Sequence, residues 1–204
     1  MCKNNDNNIS FLIRPTIDGN TSIRYTGTIK KGGADNPQQL MEIERKFLIN
    51  QIPEQLEQYL KKELTQGYLC TSPVVRIRQQ NEKYILTYKS DGMRSRIEQE
   101  MPLTKDAFKH LLKKTDGNVI QKTRYLLPID GTSLTTELDE FHGNFEGIYL
   151  AEVEFASDAA ADEFNPPEWF DEEVTYDGRF HNSQMSQMDT KAISELITYA
   201  KKGM

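Results

Sequence analysis

Two cysteines, Cys2 and Cys70, are all that the 204 residues contain. They build neither a disulfide framework nor a zinc cluster, and they fit a reducing compartment. Histidine is scarce as well. His110, His142 and His181 are scattered along the chain, and none is assigned to a metal. No apolar run approaches the length that crosses a bilayer, and no signal-peptide pattern opens the chain. Basic residues are in deficit, 25 Lys+Arg against 31 Asp+Glu, for a net charge of −6. That balance argues against nucleic acid as a partner, although it leaves room for a local basic pocket. The expectation is a soluble cytoplasmic protein with no membrane contact. A homodimer is a candidate assembly.

The chain divides by composition. Residues 1–40 carry Asn-rich and Gly-rich pieces. A hairpin pattern pairs 11–14 with 21–25 around Asp18-Gly19-Asn20, and a linker covers 31–39. They read as an extension of unknown function, followed by a domain over 41–204. There strands dominate, over 41–49, 65–71, 74–80, 83–90, 94–102, 118–128, 133–141 and 148–157. Helices are expected from Pro53 to about Lys62, over 105–114 behind Thr104 as cap, over 158–164 and over 183–200. Trp169 beside Pro166-Pro167 reads as a packing anchor. The fold class is mainly β with flanking helices (α+β). Eight strands in hairpin-like order predict a closed antiparallel barrel, which leaves no free sheet edge.

What the strands do carry is charge in alternation. Glu42, Glu44 and Lys46 occupy every second position, and alternate side chains of a strand share a face. Similar patterns recur at Arg76 and Arg78, at Lys89, at Arg96, Glu98 and Glu100, at Lys122 and Arg124, at Glu137 and Asp139, and at Glu152 and Glu154. A wet outer face is the bland reading of any single strand. Taken together, the grouping of cations on some strands and carboxylates on others predicts a charged lumen. Unpaired charge is costly away from water, so such a lumen holds water and ions. Carboxylates suit a hard divalent cation, and guanidinium groups match phosphate oxygens. A linear polyphosphate with Mg²⁺ or Mn²⁺ meets both needs.

In order along the chain stand Glu42-x-Glu44-x-Lys46, Gln66-Gly67-Tyr68-Leu69, Arg76-x-Arg78, Leu86-Thr87-Tyr88-Lys89 and Arg96-x-Glu98-x-Glu100. Lys122-Thr123-Arg124-Tyr125, Glu137-x-Asp139, Ala151-Glu152-Val153-Glu154 and the tail from Pro167 to Asn182 follow. Over about residues 41–185 this series resembles the CYTH superfamily, the triphosphate tunnel metalloenzymes, and most of all its short bacterial inorganic triphosphatases. The resemblance implies an eight-stranded tunnel and hydrolysis of a small polyanionic triphosphate. Departures are a signature that begins only at Glu42, Asp171 in place of a usual Gly, Phe180 in place of a usual Tyr, and a helical pattern past Asn182.

Roles follow on that basis. Glu42, Glu44, Glu152 and Glu154 are expected as the main metal ligands. Glu98, Glu100, Glu137 and Asp139 are shared between a second metal ion and water positioning, with pairing to luminal arginine as the alternative for Glu137 and Asp139. Two Mg²⁺ or Mn²⁺ ions per site are expected. Lys46, Arg76, Arg78, Lys89, Arg96, Lys122 and Arg124 are expected on the triphosphate, joined by Arg179. Arg94 is expected in solvent. Tyr68 stands where the resemblance places a general base, and Lys46 and Lys89 complete the catalytic candidates. The competing readings are a class IV-type adenylate cyclase, a thiamine triphosphatase, and a non-enzymatic polyphosphate-binding module.

Overall fold

The structure, a computed structural model, describes residues 14–17, 23–26, 40–92 and 94–204. The chain forms two compact units, Met1–Gln38 and Gln39–Met204. In the first, β1 (Arg14–Ile17) pairs antiparallel with β2 (Ile23–Thr26). The expected hairpin is therefore displaced, and its residues 11–13 and 18–22 lie outside the described ones, as does the linker 31–39.

The second unit is a barrel. Its strands are β3 (Leu40–Ile49), β4 (Leu60–Thr71), β5 (Val74–Gln80), β6 (Lys83–Lys89), β7 (Ser95–Pro102), β8 (Asp116–Pro128), β9 (Thr135–His142) and β10 (Tyr149–Glu154). They lie in the order β10-β9-β8-β4-β5-β6-β7-β3, and β3 pairs again with β10 from Phe47↔Ala151 to Glu44↔Glu154. Each of the eight strands thus has a neighbour on both sides. A short β11 (Phe170–Glu173), absent from the sequence expectation, adds to the far end of β3.

Two other expectations are corrected. The segment after Pro53 holds only a one-turn 3₁₀ helix at Leu56–Gln58, because β4 begins at Leu60 and takes residues read as helix. Alternation wins there: Lys62, Leu64 and Gln66 share one face of a twelve-residue strand. The C-terminal helical pattern is also split, into α3 (Asn182–Met185) and α4 (Thr190–Ala200). Asp189 caps α4 by accepting from the Ala192 N–H at 2.8 Å. α1 (Lys105–Leu112) and α2 (Asp158–Asp162) lie where the pattern places them, capped by Thr104 and Ser157.

Three apolar clusters hold this unit. Outside the barrel, Ile43, Phe47, Leu138, Ala151 and Val153 pack with Phe155, Ala161 and Phe170. Trp169 stands edge-on to Phe170 at 4.5 Å, a packing role. α1 supplies Phe108 to Ile77 and Tyr84. The third cluster sits at one end of the barrel. Strand alternation that is charged at Glu44 and Lys46 turns apolar at Leu48, and the same change occurs at Ile120, Phe141 and Leu150. These meet Val174, Phe180, Met185, Ile193, Leu196 and Ala200 of the C-terminal segment. Burying a Leu, Ile or Phe contributes roughly 1.5–3 kcal/mol. The C-terminal residues therefore seal that end with a substantial core, and the tunnel is blind there.

Candidate active site

The barrel encloses a cavity of about 490 Å³. Glu42, Glu44, Glu98, Glu100, Glu137, Glu152 and Glu154 line it, with Lys46, Lys62, Arg76, Arg78, Lys89, Lys122 and Arg124. Tyr68, Val74, His181, Asn182 and Ser183 line it at the sealed end.

Strand order, which differs from chain order, sorts these charges. The consecutive strands β8, β4, β5 and β6 carry Lys122, Arg124, Lys62, Arg76, Arg78 and Lys89 and no lining carboxylate. The other four, β7, β3, β10 and β9, carry all seven lining carboxylates, with Lys46 as the cation among them. Arg96 is paired in register with Glu42 through its backbone, but its side chain lies outside the described ones. One half of the tunnel wall is thus cationic and the other anionic.

Ion pairs cross between the halves, and those of Lys46 form within the anionic one. Lys89 Nζ lies 2.6 Å from both carboxylate oxygens of Glu42 and 3.1 Å from Glu98. Lys46 Nζ is 3.0 Å from Glu44 and is hydrogen-bonded to Glu152. Arg78 donates to Glu100 at 2.8 Å, and Arg76 lies 3.5 Å from Glu98. Arg124 is the most heavily engaged, donating to Asp139 and Glu152 at 2.6 Å and also to Glu137. Nε of both Arg76 and Arg78 is buried without a hydrogen-bond partner, so each keeps a donor for an added anion.

These surroundings set the protonation states. Burial alone would raise Glu152, but Lys46, Arg124 and Lys122 outweigh it and hold its carboxyl well below the usual range. Burial pushes Lys122 down to about 8, against the opposing pull of Asp139. Arg78 is lowered to about 10 by burial and by Arg76. Glu98 is raised by burial, with Glu42 adding to it. Glu154 is raised by desolvation and then by Glu42, Glu137 and Glu44. An excess of carboxylate thus gathers around Glu154 and Glu42, a hard-oxygen donor set that fits Mg²⁺ or Mn²⁺. Among the described residues, however, no three of His, Cys, Asp and Glu converge as metal ligands, since most of these carboxylates are turned onto lysine or arginine.

Not every expected site residue reaches the cavity. Asp139 is not in the cavity lining: it is fully buried and accepts from Lys122 and Arg124, so it orients those two cations. Arg179 is outside the tunnel: Asp177 holds it at 2.5 Å, and it lies over the Tyr199 ring. Arg94 is not in open solvent but paired with Asp162 at 2.8 Å. The sequence reading missed Lys62, Gln66 and His181. Gln66 donates from Nε2 to the Tyr68 hydroxyl at 3.1 Å, and both are buried. His181 is held through Nε2 by the Thr175 carbonyl at 3.1 Å. Alternation from Tyr68 back along β4 was the signal that could have found Gln66 and Lys62.

An antiparallel eight-stranded tunnel, blind at one end and split into cationic and anionic walls, has the shape and charge to receive a small polyanion. The chain belongs to the CYTH domain family, whose match spans residues 40–176. It is 41% identical over 150 residues to an inorganic triphosphatase of Nitrosomonas europaea, covering 72% of this chain and 97% of that protein. It is 35% identical over 162 residues to an inorganic triphosphatase of Acetivibrio thermocellus, covering 76% and 98%. A crystal structure of an inorganic triphosphatase superposes with a TM-score of 0.57 at 38% identity, over 72% of this chain and 95% of that one.

Proposed function

We propose that the protein hydrolyses inorganic triphosphate, bound in the tunnel as a complex with Mg²⁺ or Mn²⁺. The observation that carries this reading is the division of the wall into a cationic and an anionic half. A bare triphosphate would leave the carboxylates facing its own charge. A metal–triphosphate complex presents cations to one half and phosphate oxygens to the other. The two curated relatives carry the same activity in their names and are covered almost end to end.

Glu42, Glu44, Glu152 and Glu154 are the residues that would hold the cation, with Glu98, Glu100 and Glu137 nearby. When bound, it neutralises phosphoryl oxygens as charge shifts during transfer. The chain's own groups do the rest. Arg76, Arg78, Lys89, Lys122 and Arg124 hold the phosphate chain and stabilise negative charge on it. Lys46 and Lys89, now paired with Glu44, Glu152 and Glu42, exchange those partners for phosphate oxygens. Tyr68, near the blind end, takes or directs a proton of the attacking water, positioned by Gln66. Asp139 keeps Lys122 and Arg124 aimed into the tunnel.

Phosphate release from inorganic triphosphate, thiamine triphosphate and ATP, measured in parallel with Mg²⁺ or Mn²⁺ and with cyclic AMP quantified, tests the reading. Inorganic triphosphate is expected to be the best substrate, and metal removal to abolish turnover. Cyclic AMP as the main product would overturn it.

A further inference from the structure

Of the fourteen charged side chains that line the cavity, twelve are tied in ion pairs with one another or with Asp139. Among the described residues, Lys62 and Glu154 make none. The two stand on β4 and β10, three strands apart in the ring of eight. Lys62 is next to Arg124 in register, and Arg124 is already spent on Asp139, Glu137 and Glu152. Along β4, Tyr68 belongs to the sealed end and Lys62 lies six residues towards the opposite one, where Glu100, Glu137 and Glu154 gain solvent. Lys62 is therefore a partly exposed ammonium at the open mouth, on the cationic wall, with no internal carboxylate to give up.

We infer that Lys62 is a selectivity-determining contact: it binds the outermost phosphate of the bound chain and so favours a triphosphate whose outer end is unesterified. This rests on the proposed triphosphatase reading. A blind tunnel admits its substrate end first, which leaves the other end at the mouth. In inorganic triphosphate that end is a free phosphoryl group, with an ionisable oxygen that an esterified phosphate lacks. In a nucleoside triphosphate the same place holds an ester and its bulky substituent. An ammonium without an internal partner there meets more charge from the first substrate than from the second. Among the described residues, every other luminal cation already shares its charge with a carboxylate, Arg76 and Arg78 included although each keeps a spare Nε donor, so Lys62 alone among them meets the phosphate with its charge unshared.

The test compares wild type, Lys62→Gln and Lys62→Arg on inorganic triphosphate and ATP with Mg²⁺. A charge-assisted hydrogen bond at a half-exposed position corresponds to roughly five- to tenfold in affinity. Lys62→Gln is expected to raise KM for inorganic triphosphate by about that factor, leave kcat and the ATP kinetics nearly unchanged, and weaken the salt dependence of kcat/KM. Lys62→Arg restores the preference. Unchanged KM, or an equal loss on both substrates, overturns the inference. Should wild type fail to hydrolyse inorganic triphosphate, the triphosphatase reading falls. Calorimetric titration of wild type and Lys62→Gln with inorganic triphosphate then decides on Lys62 alone: weaker binding by the variant supports the contact, and equal binding removes it.

Discussion

Lys89 reaches past a whole strand to hold Glu42. Its Nζ lies 2.6 Å from both carboxylate oxygens, although β7 separates β6 from β3 in the sheet. The pair ties the cationic wall to the anionic one across the lumen. Under the proposed function both partners have other work, Glu42 on the metal ion and Lys89 on a phosphate. Glu42→Gln keeps the shape and removes the negative charge. Lys89 still has Glu98 at 3.1 Å, so the fold is expected to persist. Turnover of inorganic triphosphate is expected to fall by about 10²–10³, the usual effect of deleting one electrostatic group from a site of this kind. Phosphate release over a Mg²⁺ titration checks it, and near-normal activity at every metal concentration would remove Glu42 from the metal site.

How the anionic wall is braced from outside suggests a pH experiment. Arg45 donates to both oxygens of Glu173, at 3.0 and 2.5 Å, and to the carbonyls of Ala161 and Phe164. Its guanidinium also lies 5.0 Å from the centre of the Phe47 ring. The Arg45 bond is the main reason that the Glu173 carboxyl lies below the ordinary range. A carboxylate depressed in the folded state contributes stability above its unfolded pKa and loses it as pH falls through the folded one. Glu173→Gln is expected to cost about 0.5–1 kcal/mol at pH 7, given its partial exposure. Urea unfolding at stepwise lower pH should show the gap between wild type and variant narrowing below about pH 4.5. A gap that stays constant to pH 3 would assign it to packing instead.

Alternation alone exposed much of this architecture. It placed six of the eight barrel strands within about two residues of their limits and named most of the charged residues of the lumen. Two things were out of reach. Sorting acids from bases into opposite walls depends on β8 pairing with β4, a contact between strands far apart in the chain. The start of β4 was hidden because Pro53 and a charged, mixed sequence carry a helix-start signal that the sheet overrides, and Lys62 was lost with it. The blind end was half visible. Leu48, Ile120, Phe141 and Leu150 sit on the charged faces of their strands, so a break in the pattern marked where the water stops.

That sealed end should be a main source of stability. Leu196 of α4 is buried against the barrel floor, in one cluster with Phe141, Phe145 and Phe180. Leu196→Ala removes apolar surface from a packed site and is expected to cost about 2–4 kcal/mol. Thermal unfolding gives the measurement. A change below about 0.5 kcal/mol, the range of surface substitutions, would mean that the C-terminal helix is peripheral to the core.

Gln66 and Tyr68 offer the sharpest separation of binding from chemistry. The two side chains leave the same strand on the same side, and the Gln66 amide donates to the Tyr68 hydroxyl at 3.1 Å. That bond occupies an acceptor site of the phenol oxygen and fixes where its own proton points. Neither residue carries formal charge, so neither is expected to account for much of the affinity for a polyanion. Tyr68→Phe keeps the ring in its cluster and deletes the hydroxyl. If the hydroxyl handles a proton, kcat for inorganic triphosphate falls by about 10²-fold, the lower range for an acid–base group, while KM stays within about twofold. Gln66→Leu should produce a smaller fall of the same kind, and Gln66→Asn should recover little, because the shorter side chain cannot span the distance. Loss of both effects in the double variant beyond the Tyr68→Phe level is not expected, since Gln66 acts through that hydroxyl. A Gln66→Leu variant that retains full kcat, or a Tyr68→Phe variant whose KM rises while kcat holds, would place both residues in binding rather than in proton transfer.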